Sequence, residues 1–224
     1  IILGTEIGIK FVRFFLSLNN FLQKKKIKNY FYKNNFKGKF ELVEHHLAHA
    51  ASSYFSQKKN DGLAITMDAG GEGYCSHVYI TENNRMRLVH KILAYNSLAI
   101  YYGYITKILG FTPLRHEGKV LGLSASGEAD LVEKKLRNFI YFDKKKINFI
   151  NKGGYYKNTY LKLQNTLKEF SREDIAAGIQ SLIEKLMIEY VECVIEKFSG
   201  IKKTNLFLAG GIFANIKLNQ KIQI

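Results

Sequence analysis

The amino-acid sequence predicts an α/β domain, and three observations carry that expectation. Apolar runs at Gly62–Asp68, Tyr74–Ile80 and Met86–Leu93 follow one another across short turns rich in glycine and asparagine, the pattern of an antiparallel meander. Apolar residues from Ile175 through Ile179, Leu182, Leu186, Tyr190 and Val194 to Phe198 recur at three- and four-residue steps, as on one long amphipathic helix. A fourth strand signal, Leu206–Leu208, runs into Gly210-Gly211 with a helix beginning near Phe213. The chain has 224 residues, of which 46% are hydrophobic, enough for one large domain or two small ones with a real core. A disordered chain is excluded by that content.

Composition narrows the setting. Cys75 and Cys193 are the only two cysteines and stand far apart, so no disulfide framework is expected; a reducing, cytoplasmic compartment fits. No apolar run reaches the ~18–20 residues that span a bilayer, and no basic leader with a cleavage site is visible, so no membrane partner is expected. The chain starts at Ile1 rather than Met, the expected mark of a fragment. Its formal charge of +15, from 34 Lys+Arg against 19 Asp+Glu, suits nucleic acid, a membrane surface or an anionic small molecule. Abundant Lys, Asn, Ile, Phe and Tyr with one proline also looks like genomic compositional bias.

In chain order, Ile9–Leu22 reads as a helix apolar nearly all round, either buried or packed on another part. Seven lysines between Lys24 and Lys39 are interleaved with Tyr30, Phe31, Tyr32 and Phe36. Such a run can bind RNA, but a solvated connector with its rings anchored on the core is preferred. Residues 1–39 are therefore taken as a helix and basic connector, and 40–224 as the main domain. Phe40–Val43 is a short strand or lead-in. Glu44–Ser56 is a helix in which Ala48, Ala50 and Ala51 allow close packing. His45 and His49, four apart, share one face with about 5–6 Å between Cβ atoms. Such a pair can hold one metal ion, or can cap, pack or face water. His46 leaves on another face, and Leu47 breaks the H-E-x-x-H pattern of zinc proteases. Asp68, at a strand end, can approach the histidine pair.

Ala69–Gly73 forms a tight connection, and Asn83-Asn84 marks the next turn. Ser97–Leu109 is a helix stopped by Gly110. A second polar cluster, Arg115-His116-Glu117-Gly118-Lys119, precedes an apolar run. Glu128–Lys168 carries a charged helix and a hairpin, Phe139–Phe142 with Ile147–Ile150, around Asp143-Lys144. Ser171 and Asp174 form a capping box for the long helix, which Gly200 stops. Gly210-Gly211 is either a phosphate cradle, with free N–H groups at a helix start, or an ordinary strand–helix turn.

HHLAHAASSYF, TMDAGGEG, SLAIYYGYITKILGF with EGKVLGLSASG, and LFLAGGIFANIKLNQKI resemble, in this order, segments of the ATP-dependent O-carbamoyltransferases of nodulation-factor and antibiotic tailoring. The resemblance runs from about Phe40 to the C-terminus. More distantly, the chain is similar to the hydrogenase-maturation carbamoyltransferase and to the tRNA threonylcarbamoyl-transfer protein. The resemblance implies an actin-like ATPase fold with ribonuclease-H-like halves, present in part. It implies an enzyme using carbamoyl phosphate and ATP, in which a carbamoyl adenylate is made at a C-terminal domain. The carbamoyl group then passes to a hydroxyl of a sugar or other small molecule. His45, His49 and Asp68 match the metal positions, with Fe(II) expected and Mn(II) or Zn(II) as substitutes. Gly210, Gly211 and Asn215 match the nucleotide loop. Glu117 and Lys119 match the catalytic segment usually reading GEYK, here His116-Glu117-Gly118-Lys119, with Gly118 at the tyrosine position.

The resemblance also implies parts absent here: an upstream strand–turn carrying an aspartate, a later metal-binding aspartate and the adenylate-forming domain. An interior piece of a longer enzyme, inactive alone, is expected. The alternative is a tRNA threonylcarbamoyl-transfer-like protein or basic nucleic-acid module. EGKVLG and SLAIYYGY favour the small-molecule enzymes, so nucleic acid is not the expected partner. A sugar kinase of the same fold does not call for the HxxxH pair.

Overall fold

A computed structural model describes residues 22–58, 61–154, 156–199 and 204–223. A helix, α1, runs through 22–33. Helix α2 (His45–Tyr54) precedes the meander β1 (Gly62–Gly71), β2 (Tyr74–Glu82) and β3 (Arg85–Leu93). Next come α3 (Leu98–Ile108), α4 (Glu117–Leu123), α5 (Asp130–Leu136), the hairpin β4 (Ile140–Asp143) and β5 (Asn148–Asn151), and α6 (Lys157–Leu167). The 27-residue α7 (Arg172–Phe198) leads to β6 (Asn205–Ala209), a 3-10 turn at Gly211–Ala214, and α8 (Ile216–Ile222). The main sheet has the order β3-β2-β1-β6, with β6 parallel to β1 and the other pairs antiparallel.

Strand β1 is the centre of this arrangement, and its alternation divides the molecule. Leu63, Ile65 and Met67 point into the large core, which α7 supplies with Ile179, Leu186 and Tyr190. Ala64 points to the opposite face, into a smaller cluster with Ala50 and Tyr54 of α2, Tyr79 and Phe207. The small side chains of Ala50 and Ala64 are both fully buried, which lets α2 lie close on the sheet. Gly62 sets the approach of β6, because a Cβ there would stand 2.2 Å from the Asn205 carbonyl oxygen.

The α/β class, the meander, the helix opened by Ser171 and the β4–β5 hairpin are as the sequence predicts. The differences are local. The connection after β1 is a two-residue turn, Glu72-Gly73, with φ of 52° and 88°, and β1 continues through Ala69 to Gly71 with a register shift after Met67. Phe40–Val43 pairs with nothing as a strand and serves as a lead-in. Tyr30, Phe31, Tyr32 and Phe36 do not anchor on either core cluster. They pack on one another and on Phe40, with Phe31 and Phe40 centroids 5.1 Å apart, and all four stay exposed. Ser171 Oγ accepts from the Asp174 N–H at 3.0 Å, but Asp174 Oδ1 accepts from the Glu128 N–H, so the reciprocal half of the capping box ties α7 to the loop before α5. Helix α6 has no counterpart in the sequence reading; its polar face outweighs its buried Leu163 and Leu167. The helix expected at Ile9–Leu22 lies outside the described residues except for Leu22, and Gly200 lies outside them altogether. Among the described residues no helix is long and apolar enough to cross a membrane.

Candidate metal centre and adjoining cavity

The histidine helix begins on a carboxylate. Glu44, at the N-cap of α2, accepts from the Leu47 N–H at 2.7 Å. This seats His45 and His49 one turn apart, their ring centroids separated by 4.6 Å. Alternation along β1 puts Asp68 on the same face as Ala64 and Thr66, under α2. The Nε2 atoms of His45 and His49 lie 3.3 and 3.2 Å from one oxygen, Asp68 Oδ2. The ligand atoms of the three residues lie within 4.8 Å of one another. Asp68 Oδ1 accepts from the Ala69 N–H at 2.7 Å, which fixes the carboxylate plane. Burial alone would raise the Asp68 carboxyl; the Ala69 N–H and the two imidazoles outweigh it and hold it below the ordinary aspartate value. Gly71 backs His45, since a Cβ there would meet its ring at 2.3 Å.

His46 takes no part in the triad and is completely buried. Its Nε2 donates to the Tyr74 carbonyl at 3.0 Å, and its Nδ1 lies 2.9 Å from the Thr66 hydroxyl. A carbonyl only accepts, so Nε2 carries the proton. Burial pushes its pKa down, and the neutral ring accepts at Nδ1. The His77 ring lies 4.6 Å away, its Nδ1 3.0 Å from Tyr79 Oη, and burial with the neighbouring His46 lowers it to about 4. This layer of neutral rings pins α2 to β1 and β2 behind the triad.

Asp68 also opens on a cavity of about 610 Å³. Helix α3 forms one wall through Tyr102 and Gly103, α4 contributes Glu117 and Gly118, and the loop after β6 contributes Gly211 and Asn215. The loop after β6 needs glycine first at Gly210, where φ is 99° and a Cβ would stand 2.4 Å from the Met67 carbonyl oxygen. At Gly211 a Cβ would stand 3.3 Å from Asp68 Oδ1. Ser97, the N-cap of α3, donates to the Asp68 carbonyl at 3.0 Å and ties the cavity wall to the same strand end.

The structure therefore brings Asp68, Gly211, Asn215 and Glu117 around one cavity, while His45 and His49 meet Asp68 outside its lining. Gly210 lies behind it as the hinge of the loop. Asn215 lines the cavity, yet its polar atoms serve the fold: Oδ1 caps α8 by accepting from the Leu218 N–H at 3.1 Å, and Nδ2 donates to Gln180 Oε1 at 2.8 Å. Glu117 Oε1 accepts from the Leu114 N–H at 2.6 Å. Lys119 is not among the lining residues; it is exposed, with Nζ 5.8 Å from the Phe111 ring centroid. The sequence reading assigned no site role to Tyr102, Lys107 or Arg115, which also line the cavity. Arg115 stood within the polar cluster that reading singled out; Tyr102 and Lys107 lie on a helix whose sequence pattern signals only packing.

The chain thus has the architecture of an α/β protein with a parallel strand added to a meander, a two-histidine, one-carboxylate group of metal-ligating type, and a glycine-pair loop that shares a cavity with its carboxylate. The particular family follows from sequence comparison: residues 10–224 match the carbamoyltransferase N-terminus, and the chain belongs to that family. It is similar to the uncharacterized protein MJ1058 of Methanocaldococcus jannaschii, 30% identical over 95% of this chain and 37% of that protein. It is similar to the nodulation protein NolNO of Sinorhizobium fredii, 26% identical over 82% of this chain and 27% of that protein. The nodulation protein NolO of Bradyrhizobium diazoefficiens is 22% identical over 80% of this chain and 33% of that protein. The chain spans about a third of the length of these curated relatives.

Proposed function

We propose that this chain supplies the acyl-transfer cavity of an O-carbamoyltransferase, in which a carbamoyl group carried by adenylate passes to a hydroxyl of a sugar or other small molecule. The single observation that carries this reading is the position of Asp68, which faces the histidine pair through one oxygen and the glycine-pair loop through the other. The fold reading goes with it. A three-stranded meander extended by a parallel strand after a long helix is the arrangement of a ribonuclease-H-like half, and supports an actin-like ATPase fold.

The donor set fits a divalent ion. Two imidazole nitrogens and a carboxylate oxygen converge from one side, and three protein ligands leave positions for water or a ligand oxygen, as in catalytic rather than structural sites. Imidazole with carboxylate suits Fe(II), with Mn(II) or Zn(II) as substitutes. When bound, the ion would supply Lewis acidity toward a phosphate or carbonyl oxygen. His45, His49 and Asp68 would hold it, with Ala69 and Gly71 keeping their orientation. Gly211 leaves the backbone of its loop open to a phosphate. In the transfer, the acceptor oxygen forms a bond to the carbamoyl carbon, the bond from that carbon to the adenylate oxygen breaks, and AMP leaves. We assign uptake of the hydroxyl proton to Glu117, the cavity carboxylate held by the Leu114 N–H.

The test is the full-length protein incubated with ATP, carbamoyl phosphate and a panel of sugars, read by mass spectrometry. AMP release together with one carbamoyl group gained by an acceptor is expected. A full-length protein that releases AMP but loses no activity in the Asp68→Asn variant would overturn the site. Absence of both AMP and carbamoylated product would overturn the function.

A further inference from the structure

We infer that Arg115 is the residue that binds the phosphate of the ligand in this cavity, an inference that rests on the adenylate reading above. The expected cation of the segment, Lys119, lies in the first turn of α4 and outside the cavity lining, its ammonium over Phe111. Arg115 lies on the rim, and among the described residues its guanidinium has no ion pair and no hydrogen-bond partner. The other cavity cation, Lys107, is held over the Tyr160 ring, with Nζ 4.9 Å from its centroid.

A free guanidinium on an exposed loop carries little meaning unless the loop is rigid, and this loop is pinned throughout. The Phe111 N–H donates to the Thr106 carbonyl at 3.0 Å, and the Phe111 ring sits 5.2 Å from the guanidinium of Arg172, which itself donates to the Leu109 carbonyl. The Thr112 N–H donates to His116 Nδ1 at 3.1 Å, and the His116 N–H donates back to the Thr112 carbonyl at 3.0 Å. Between them Leu114 adopts φ of 65°, and its N–H is taken by Glu117. A leucine in that backbone region is strained, and such strain persists where the surroundings over-determine it. The reciprocal Thr112–His116 bonds and the Glu117 contact supply that constraint. The result is a planar five-donor group presented on a preorganised turn at the mouth of a cavity whose other ionic residues include Asp68 and Glu117. Guanidinium groups match phosphate with paired, charge-assisted hydrogen bonds, which an ammonium cannot reproduce geometrically.

The experiment uses the full-length protein and calorimetric titration with AMP and, separately, with adenosine. Arg115→Ala should weaken AMP binding at least about tenfold, the scale of one charge-assisted pair, while adenosine affinity changes by less than about twofold and the melting temperature holds. Arg115→Lys should recover part of the AMP affinity. Equal AMP affinity in wild type and Arg115→Ala would overturn the assignment while leaving the adenylate reading standing. Parallel loss of AMP and adenosine with a lowered melting temperature would show Arg115 to be a structural part of the loop, and would also overturn it. Failure of wild type to bind either compound would instead remove the adenylate reading, and the assignment with it.

Discussion

Asp68 and Gly211 are direct neighbours across the cavity wall: a Cβ on Gly211 would lie 3.3 Å from Asp68 Oδ1. Glycine leaves that space free, and a branched side chain at 211 would press on the carboxylate and push it off the histidines. Gly211→Val should lower bound metal severalfold in the purified chain while leaving the melting temperature within a few degrees. Gly210→Ala should act differently. Its φ of 99° and the 2.4 Å approach to the Met67 carbonyl make it a folding defect, with a stability loss of roughly 1–3 kcal/mol or more. Denaturant titration alongside elemental analysis separates the two effects; matching profiles for both variants would contradict this division.

The three histidines of α2 should separate into two behaviours. His45→Ala and His49→Ala should reduce metal content to background with little change in stability, because both rings are partly exposed at the triad. His46→Ala should instead destabilise the fold by about 2–4 kcal/mol, since it removes two buried hydrogen bonds and leaves a cavity. Elemental analysis and urea unfolding of untagged proteins measure both quantities, and a stable His46→Ala protein would show that the neutral-ring layer does not hold α2.

His77 predicts a pH dependence. Its folded pKa is lowered to about 4 from an ordinary value near 6.5, so it is neutral in the fold and takes up a proton on unfolding. The stability it contributes is complete above about pH 6.5 and is lost as pH falls toward 4. Its Nε2 is buried with no hydrogen-bond partner, so a proton added there meets nothing that accepts it. His77→Phe should flatten the fall of the melting temperature between pH 6.5 and 4. An unchanged slope would assign that fall to other groups.

Asn215→Ala should behave as the loss of a cap. It strips α8 of its N-cap bond and leaves Gln180, itself buried between Glu184 and Tyr102, without a partner at one edge. A loss of about 1–3 kcal/mol is expected, with Asn215→Asp retaining the cap. If Asn215→Ala kept full stability and lost only AMP affinity, its role would lie with the ligand.

Much of this was legible in the sequence for a physical reason. The histidine spacing, the strand alternation that turns Asp68 toward them, and the glycine pair are local patterns, and each forces a local geometry. Three features were not legible. Lys119 stood in a promising segment, but whether a residue on α4 faces the cavity depends on how the helix is docked against α3 and α7, which periodicity over seven residues does not define. The aromatic run near Phe31 carried the composition of a core-anchored linker, yet its rings found partners within the run itself. Helix α6 shows the reverse: a weak pattern became a helix where α5 and the Tyr104 and Lys107 side chains of α3 provided a surface for it.

Strand β1 divides the site in time as well as in space. Its partners β2 and α2 are its sequence neighbours, whereas β6 pairs with it from Gly62↔Asn205 onward, across roughly 140 residues of chain. During synthesis the two histidines and Asp68 emerge together, while the Gly210-Gly211 wall arrives only after the long α7 has been made. The half that would hold a cation can thus begin to assemble on the ribosome before the half that would hold a phosphate exists. The closing of β6 against β1 is then the step that sets the Gly211 wall of the cavity beside Asp68.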